Sequence, residues 1–290
     1  MRAKGLIVIL CVFCATSALE AQEIDNSHLF PGVARLPGQP PSQWVSDVTV
    51  NNLHGFEIEI GFMFFAERTE HGIDDFVFPP EHRFQLAPRE TRLFEDVLAT
   101  VFGLDNAKGA LLVTCSREML EPDPPPGEDD LYILATMRTY DVSSPLGTYG
   151  QTIPANNFII NSSGEQSFIT GALNSGLFRS NLGIINLSLD EVTFHYRIMK
   201  PVSTIVAQGT KTLASLWVQQ WSFNSLGVGT VNGPLTVDLW IDPDDVKPRC
   251  LDTFDGGAGF LAYVSKVDSR TQDAEFMYAA PAFVAERECD

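Results

Sequence analysis

Phe56-Glu57-Ile58-Glu59-Ile60-Gly61-Phe62-Met63-Phe64-Phe65 places Phe56, Ile58, Ile60, Phe62 and Phe64 on one side of an extended chain, because successive side chains of a strand point to opposite faces. The pattern predicts a half-buried antiparallel strand with Glu57 and Glu59 in water. Just before it, Val45-Ser46-Asp47-Val48-Thr49-Val50-Asn51-Asn52 alternates in the same way. Beyond it, Phe84 to Arg92 reads as a strand running into a turn. Leu93 to Leu104 carries apolar residues at Leu93, Val97, Leu98, Val101 and Phe102 with Gly103 near its end, which predicts a short amphipathic helix with a glycine C-cap. Gly109 to Cys115 and Leu131 to Tyr140 follow as strands, read as hairpin partners. Short alternating segments broken by turn residues make this an all-β chain.

The same order of segments then recurs. Leu134-Ala135-Thr136-Met137-Arg138-Thr139-Tyr140-Asp141, continuing to Ile153-Pro154-Ala155, aligns without a gap on Leu261-Ala262-Tyr263-Val264-Ser265-Lys266-Val267-Asp268, continuing to Ala280-Pro281-Ala282, at an offset of 127. Ser180 to Leu187 and Glu191 to Ile198 answer the first two strands, Leu213 to Gly227 the middle stretch, and Pro234 to Ile241 and Gly259 to Val267 the last strands. The expected organisation is two tandem immunoglobulin-like β-sandwich domains, 22–155 and 156–290, each with one short helix.

Met1-Arg2-Ala3-Lys4 followed by the apolar run Gly5 to Ala15 reads as a secretory signal peptide over 1–21. Cleavage after Ala18 or after Ala21 would leave small residues at the cut. The run is well short of the roughly twenty residues that span a bilayer, so no stable membrane span is expected after signal cleavage. Loss of Arg2, Lys4 and Glu20 from a chain of net charge −18 leaves −19. With no Lys/Arg cluster, nucleic acid is excluded as a partner class. The expected location is secreted, or else periplasmic or at the cell surface.

Three cysteines remain after processing. Cys115 closes an apolar run and reads as a buried thiol. Cys250 and Cys289 are a possible disulfide clipping down the C-terminus. The loops Glu121-Pro122-Asp123-Pro124-Pro125-Pro126-Gly127-Glu128-Asp129-Asp130 and Asp242-Pro243-Asp244-Asp245 onward are acidic and proline-rich. Such loops project into solvent, since proline removes ladder donors and like charges repel. Asp242, Asp244 and Asp245 are weak calcium candidates, with no Asp-x-Asp-x-Asp-Gly string to support them. Trp217 and Trp221 are possible ligand-facing aromatics, weighed against packing in a core.

The histidines, His28, His54, His71, His82 and His195, fit no metal-ligand spacing, and no nucleophile elbow, phosphate loop or dinucleotide fingerprint occurs. No catalytic or cofactor residue is assigned, and paired carboxylates brought together by folding would leave no spacing to read. Ser180-Asn181-Leu182-Gly183-Ile184-Ile185-Asn186, Leu93-Phe94-Glu95-Asp96-Val97-Leu98 with Phe102-Gly103-Leu104, and Thr139-Tyr140 to Gly147-Thr148-Tyr149-Gly150-Gln151-Thr152-Ile153-Pro154-Ala155 resemble modules found in tandem in uncharacterised exported proteins of Gram-negative, acidobacterial-type bacteria. The resemblance covers most of residues 30 to 285. It implies a secreted β-sandwich with no established activity, and the chain departs from it at the Pro/Asp insertions and Cys250. The expected function is a non-catalytic secreted or cell-envelope module for structure, adhesion or recognition, its partner an extracellular protein or glycan. The alternatives are a carbohydrate- or calcium-binding module, and a hydrolase whose site folding assembles.

Overall fold

A computed structural model describes residues 25–38, 40–72, 78–115, 131–145, 147–155, 166–242, 245 and 259–281. The expected signal peptide, the 121–130 loop, Asp244, Cys250 and Cys289 lie outside the described residues. The chain is all-β. In order it forms β1 (Ser27–Pro37), β2 (Gln43–Asn52), β3 (Ile58–Ala66), β4 (Arg83–Leu86), β5 (Thr91–Phe94), α1 (Val97–Thr100), β6 (Ala107–Thr114), β7 (Ile133–Asp141) and β8 (Tyr149–Ile153). The second half continues with β9 (Ser167–Ala172), β10 (Phe178–Asn186), β11 (Val192–Lys200), β12 (Thr204–Leu213), β13 (Val218–Ser222), β14 (Leu235–Ile241), β15 (Phe260–Asp268), β16 (Ala274–Tyr278) and β17 (Ala280–Pro281).

Strand pairing has the same order in both halves. One sheet of the first half runs β5-β2-β7-β8 and the other β4-β3-β6-β1, the two joining only where Leu36 and Pro37 meet Trp44 and Gln43. The second half has β13-β10-β15-β16 and β12-β11-β14-β9, with β17 added at the edge. Each pair of sheets faces inward on its own core. Phe30, Val48, Val50, Ile60, Phe62 and Met137 fill the first, and Leu182, Ile184, Phe194, Ile198, Phe260 and Val264 the second. In an immunoglobulin constant domain the first strand shares a sheet with the second, fourth and fifth, and the seventh with the third and sixth. Here β1 lies with β3, β4 and β6, and β7 with β2 and β5, so the first, fourth and seventh strands each lie in the opposite sheet from that arrangement.

Buried polar residues recur with the pairing. Asn52 ends β2 and is fully buried; its Nδ2 donates to the carbonyls of Phe56 (2.8 Å), Leu86 (3.2 Å) and Ala87 (2.9 Å), and its Oδ1 accepts from His54 N–H. Asn186 ends β10 and does the same to Asp190, Leu213, Ala214 and Ser188. Each asparagine satisfies carbonyls of chain turning between sheets, groups that would otherwise be orphaned away from water. Ser46 Oγ clasps both backbone groups of Ala34, and Ser180 Oγ those of Leu173.

Three sequence expectations change. Gly109 to Cys115 and Leu131 to Tyr140 are not hairpin partners, because β6 and β7 belong to opposite sheets, as do β14 and β15; a hairpin pairs consecutive strands across a connection of about two to five residues. The helix expected over Leu93 to Leu104 shrinks to the single turn of α1. Thr91–Phe94 is held instead as a strand against β2, and Asp96 adopts a left-handed φ of 46° that starts α1 afresh. The glycine cap stands: Gly103, at φ 64°, donates to Ala99 O, and Leu104 N–H to Leu98 O. In the second half the corresponding turn, Phe223–Leu226, is a 3-10 turn closed by Gly227. Third, β3 is not half-buried. Met63 and Phe65, on the face opposite Ile60 and Phe62, are 7% and 6% exposed, because the second half covers them.

Candidate functional site

The site begins with which sheet faces meet. β6 is buried from Gly109 to Thr114 and β15 from Phe260 to Ser265 without alternation, the signature of strands covered on both faces. The outer face of the β4-β3-β6-β1 sheet packs on the outer face of β13-β10-β15-β16. Leu29, Met63, Phe65, Ala110 and Leu112 from the first half meet Ile185, Val218 and Leu261 from the second in one cluster. At roughly 1.5–3 kcal/mol for each large apolar side chain withdrawn from water, this cluster outweighs any exposed ion pair, typically worth about 0–1 kcal/mol. Backbone bonds stitch the same seam, with Arg68 N–H donating to Val218 O at 2.9 Å and His71 N–H to Ser215 O at 3.2 Å. Tyr278 Oη donates to Pro154 O at 2.7 Å.

Beside the cluster the two faces part and leave a cavity of about 220 Å³. Its walls include Gly32, Leu36 and Trp44 from the first half and Arg179, Tyr263, Ser265 and Phe276 from the second. Tyr263 and Phe276 are stacked, with ring centroids 4.6 Å apart. Gly183 makes room for that stack, since a Cβ there would run into the Tyr263 ring. Burial, reinforced by the nearby charge of Glu67, pushes the Tyr263 hydroxyl well above its ordinary value, so it stays neutral. Gln151 and Ser265 face each other across the cavity at 3.4–3.5 Å.

Three charged residues line this space. Glu67 accepts from Lys108 Nζ at 3.0 Å and from Gln220 N–H at 2.9 Å, so those two charges cancel. Arg179 has no such partner. Its Nη2 donates to Gln272 Oε1 at 2.7 Å, its Nη1 is sealed from water with no acceptor, and among the described residues no carboxylate pairs with it. Burial lowers its pKa, as expected when a cation is desolvated without a compensating anion. The geometry therefore offers aromatic walls, a few hydrogen-bonding groups and one uncompensated cation, which are the elements of a small-ligand pocket.

The residues singled out from sequence lie elsewhere. Trp221 pairs with Leu182 in the ladder, as Phe94 pairs with Val48, and packs on the second core with Lys211 Nζ 5.3 Å from its ring centre. Trp217 packs on the same core, its Nε1 donating to Gln219 Oε1 at 3.2 Å. Asp245 donates its N–H to Asp242 O, and its carboxylate lies 2.6 Å from His195 Nε2. His195 in turn stacks on Trp240 on the outer face of the β12-β11-β14-β9 sheet. Among the described residues no group of three or more His, Cys, Asp or Glu is arranged to hold a metal ion. Cys115 is buried and its thiol is pushed up to about 12 by that burial, which leaves it unreactive.

Sequence reading missed the cavity because its walls come from strands far apart in the chain. One signal was present in the repeat alignment itself, where Thr136 faces Tyr263 and Arg138 faces Ser265. A polar residue replaced by an aromatic at one strand position marks a face that has changed surroundings.

No family model matches the sequence, and no curated protein is similar to it. Among solved structures, the chain is similar to Bacteroides uniformis beta-glucuronidase at 9% identity and a TM-score of 0.17. That match covers 89% of this chain and 32% of that chain, so the chain spans about a third of its length. At that level neither fold nor activity carries across.

Proposed function

We propose that the chain is a non-catalytic, exported recognition module in which one β-sandwich unit occurs twice, over 22–155 and 156–290, and acts at or beyond the cell surface on an extracellular protein or glycan. The observation that carries this reading is the cavity at the seam of the two sandwiches. Its acid and one of its bases are already spent on each other and on a backbone N–H, which favours holding a ligand over transferring a proton. The signal-like run Gly5 to Ala15 supports export, and the net charge of −18 fits a soluble surface protein.

The test uses the full chain in a Gram-negative host. Fractionation with N-terminal sequencing is expected to find the protein outside the cytoplasm, starting just after Ala18 or Ala21. The purified protein, incubated with a panel of glycoside, ester and peptide substrates, is expected to give saturable binding to glycan or protein arrays and no turnover. Retention in the cytoplasm with Met1 intact would contradict export, and turnover of any panel member would contradict a non-catalytic role.

A further inference from the structure

We propose that the cavity between the sandwiches binds a small organic carboxylate with a flat apolar body, the carboxylate held by Arg179 and the body lying against Trp44 and Phe276. This rests on the recognition reading above and names its ligand class. In a chain of net charge −18, a half-buried guanidinium that lines a cavity with no carboxylate beside it among the described residues is an exception that calls for a reason. Sealing one N–H group of a cation from water with no acceptor is costly, and Arg179 Nη1 is such a group. Arg179 could be relieved by any nearby Asp or Glu, yet among the described residues the one acid lining the cavity, Glu67, is taken by Lys108 and Gln220.

The ligand chemistry follows from the fork. A guanidinium carries five N–H donors in one plane and matches a carboxylate through two parallel bonds. Among the described residues Gln272 Oε1 is the one acceptor it has. The size of the space suits such a body: an engineered apolar cavity of about 150 Å³ holds benzene, so the 220 Å³ here has room for a ring and a carboxylate. Trp44 and the stacked Tyr263–Phe276 pair supply the flat walls. Gln151 and Ser265, at 3.4–3.5 Å from each other, make long hydrogen bonds that a ligand's polar edge can replace at little cost.

The experiment titrates the full-length protein by calorimetry with benzoate, cyclohexanecarboxylate, acetate, benzyl alcohol and inorganic phosphate. Saturable binding is expected for benzoate, weaker binding for cyclohexanecarboxylate and acetate, and none for benzyl alcohol or phosphate. Arg179→Gln is expected to weaken benzoate at least ten-fold, the loss of a charge-assisted pair. Ala274→Leu keeps Arg179 but fills the cavity, and is expected to abolish binding in a protein whose melting temperature is unchanged. Benzoate binding that survives Arg179→Gln, binding of phosphate in place of carboxylates, or no binding of any carboxylate at 10-millimolar concentration would each overturn the assignment. If the protein proves to turn over a substrate while benzoate still binds through Arg179, the recognition reading fails and the carboxylate site stands.

Discussion

Two sheets with the same strand order, β5-β2-β7-β8 and β13-β10-β15-β16, meet opposite surroundings. At their inward positions they agree in character: Val48 corresponds to Leu182, Val50 to Ile184, Met137 to Val264 and Ile153 to Met277. Outward, they differ. Asn51, Thr91, Thr136 and Thr152 face water in the first half, where the second has Ile185, Val218, Tyr263 and Phe276 in the seam. The partner sheets reverse the pattern, Met63 and Leu112 corresponding to the ion-paired Arg197 and Asp238. Inward residues make each sandwich. Outward residues decide which face docks, and here each half has one apolar docking face and one polar outer face, carried by opposite sheets.

The largest expected effect comes from giving the first half the residue that the second carries at the same position. Leu112→Asp buries a carboxylate in the apolar cluster with no cation opposite, and is expected to cost about 3–5 kcal/mol, whereas Leu112→Met should cost under about 1.5 kcal/mol. Urea denaturation followed by tryptophan fluorescence reads both. An aspartate tolerated like a surface change would mean that this face is not buried.

The asparagine corners sharpen the comparison from the side of similarity. Asn52→Ala and Asn186→Ala each remove a side chain that satisfies three carbonyls and one N–H, and each is expected to cost about 3 kcal/mol from buried groups left unpaired. Because the two networks match bond for bond, the costs should agree within about 1 kcal/mol, near the scatter between equivalent contexts. Calorimetric melting of the two variants checks this, and a large inequality would show that the corners carry different loads.

A smaller effect separates Gly183 from Thr49, its counterpart across the repeat. Gly183→Ala pushes a methyl group into the Tyr263 ring and is expected to cost about 1–3 kcal/mol by overpacking, while Thr49→Ala should fall within about 0.5 kcal/mol. Equal costs would remove the argument that Gly183 clears space for the aromatic wall.

The smallest effect concerns Asp141 and Asp268, which close the turns after β7 and β15. Burial by itself would raise the Asp141 pKa. The N–H groups of Ser143 and Gln43 and the Ser143 hydroxyl outweigh it and hold the carboxyl below its ordinary 3.8. A depressed carboxylate stabilises the fold above its unfolded value, and that contribution is lost as pH falls through the folded value. Asp141→Asn should therefore cost about 1 kcal/mol at neutral pH, with the gap from wild type closing as pH drops from about 5 toward 2. Asp268, whose carboxyl the N–H groups of Arg270 and Thr271 hold below its ordinary value, is expected to show a trend in the same direction. A gap that is flat with pH would show that Asp141 acts through shape rather than charge.

Much of the fold was legible in local pattern. Ile58, Ile60 and Phe62 announce a strand because burial on one face repeats every second residue, and Gly103 announces a cap because only a left-handed backbone closes that turn. The pairing of strands was not legible. β6 and β7 look like hairpin partners since both are apolar and consecutive, but nothing local records that the chain between them crosses to the opposite sheet. The helix over Leu93 to Leu104 was overdrawn for a related reason, since a helical period fits Leu93 although its backbone is held by β2. Of the candidate site, Trp217 and Trp221 drew attention by size, and both lie partly buried against the second core, away from the cavity. Arg179 drew none, because an isolated arginine is informative only once the absence of a carboxylate beside it is known.

The central claim is that register-equivalent outer faces of one sheet are wet in the first half and sealed in the second. The most direct measurement compares labelling of Asn51→Cys and Ile185→Cys, the two residues at the same ladder position, by a bulky maleimide with the modified site mapped by mass spectrometry. The account predicts that Asn51→Cys reacts as fast as a free thiol, and that Ile185→Cys, at a position 2% exposed, reacts only as the protein unfolds. Labelling of both at the same fast rate under native conditions would contradict it.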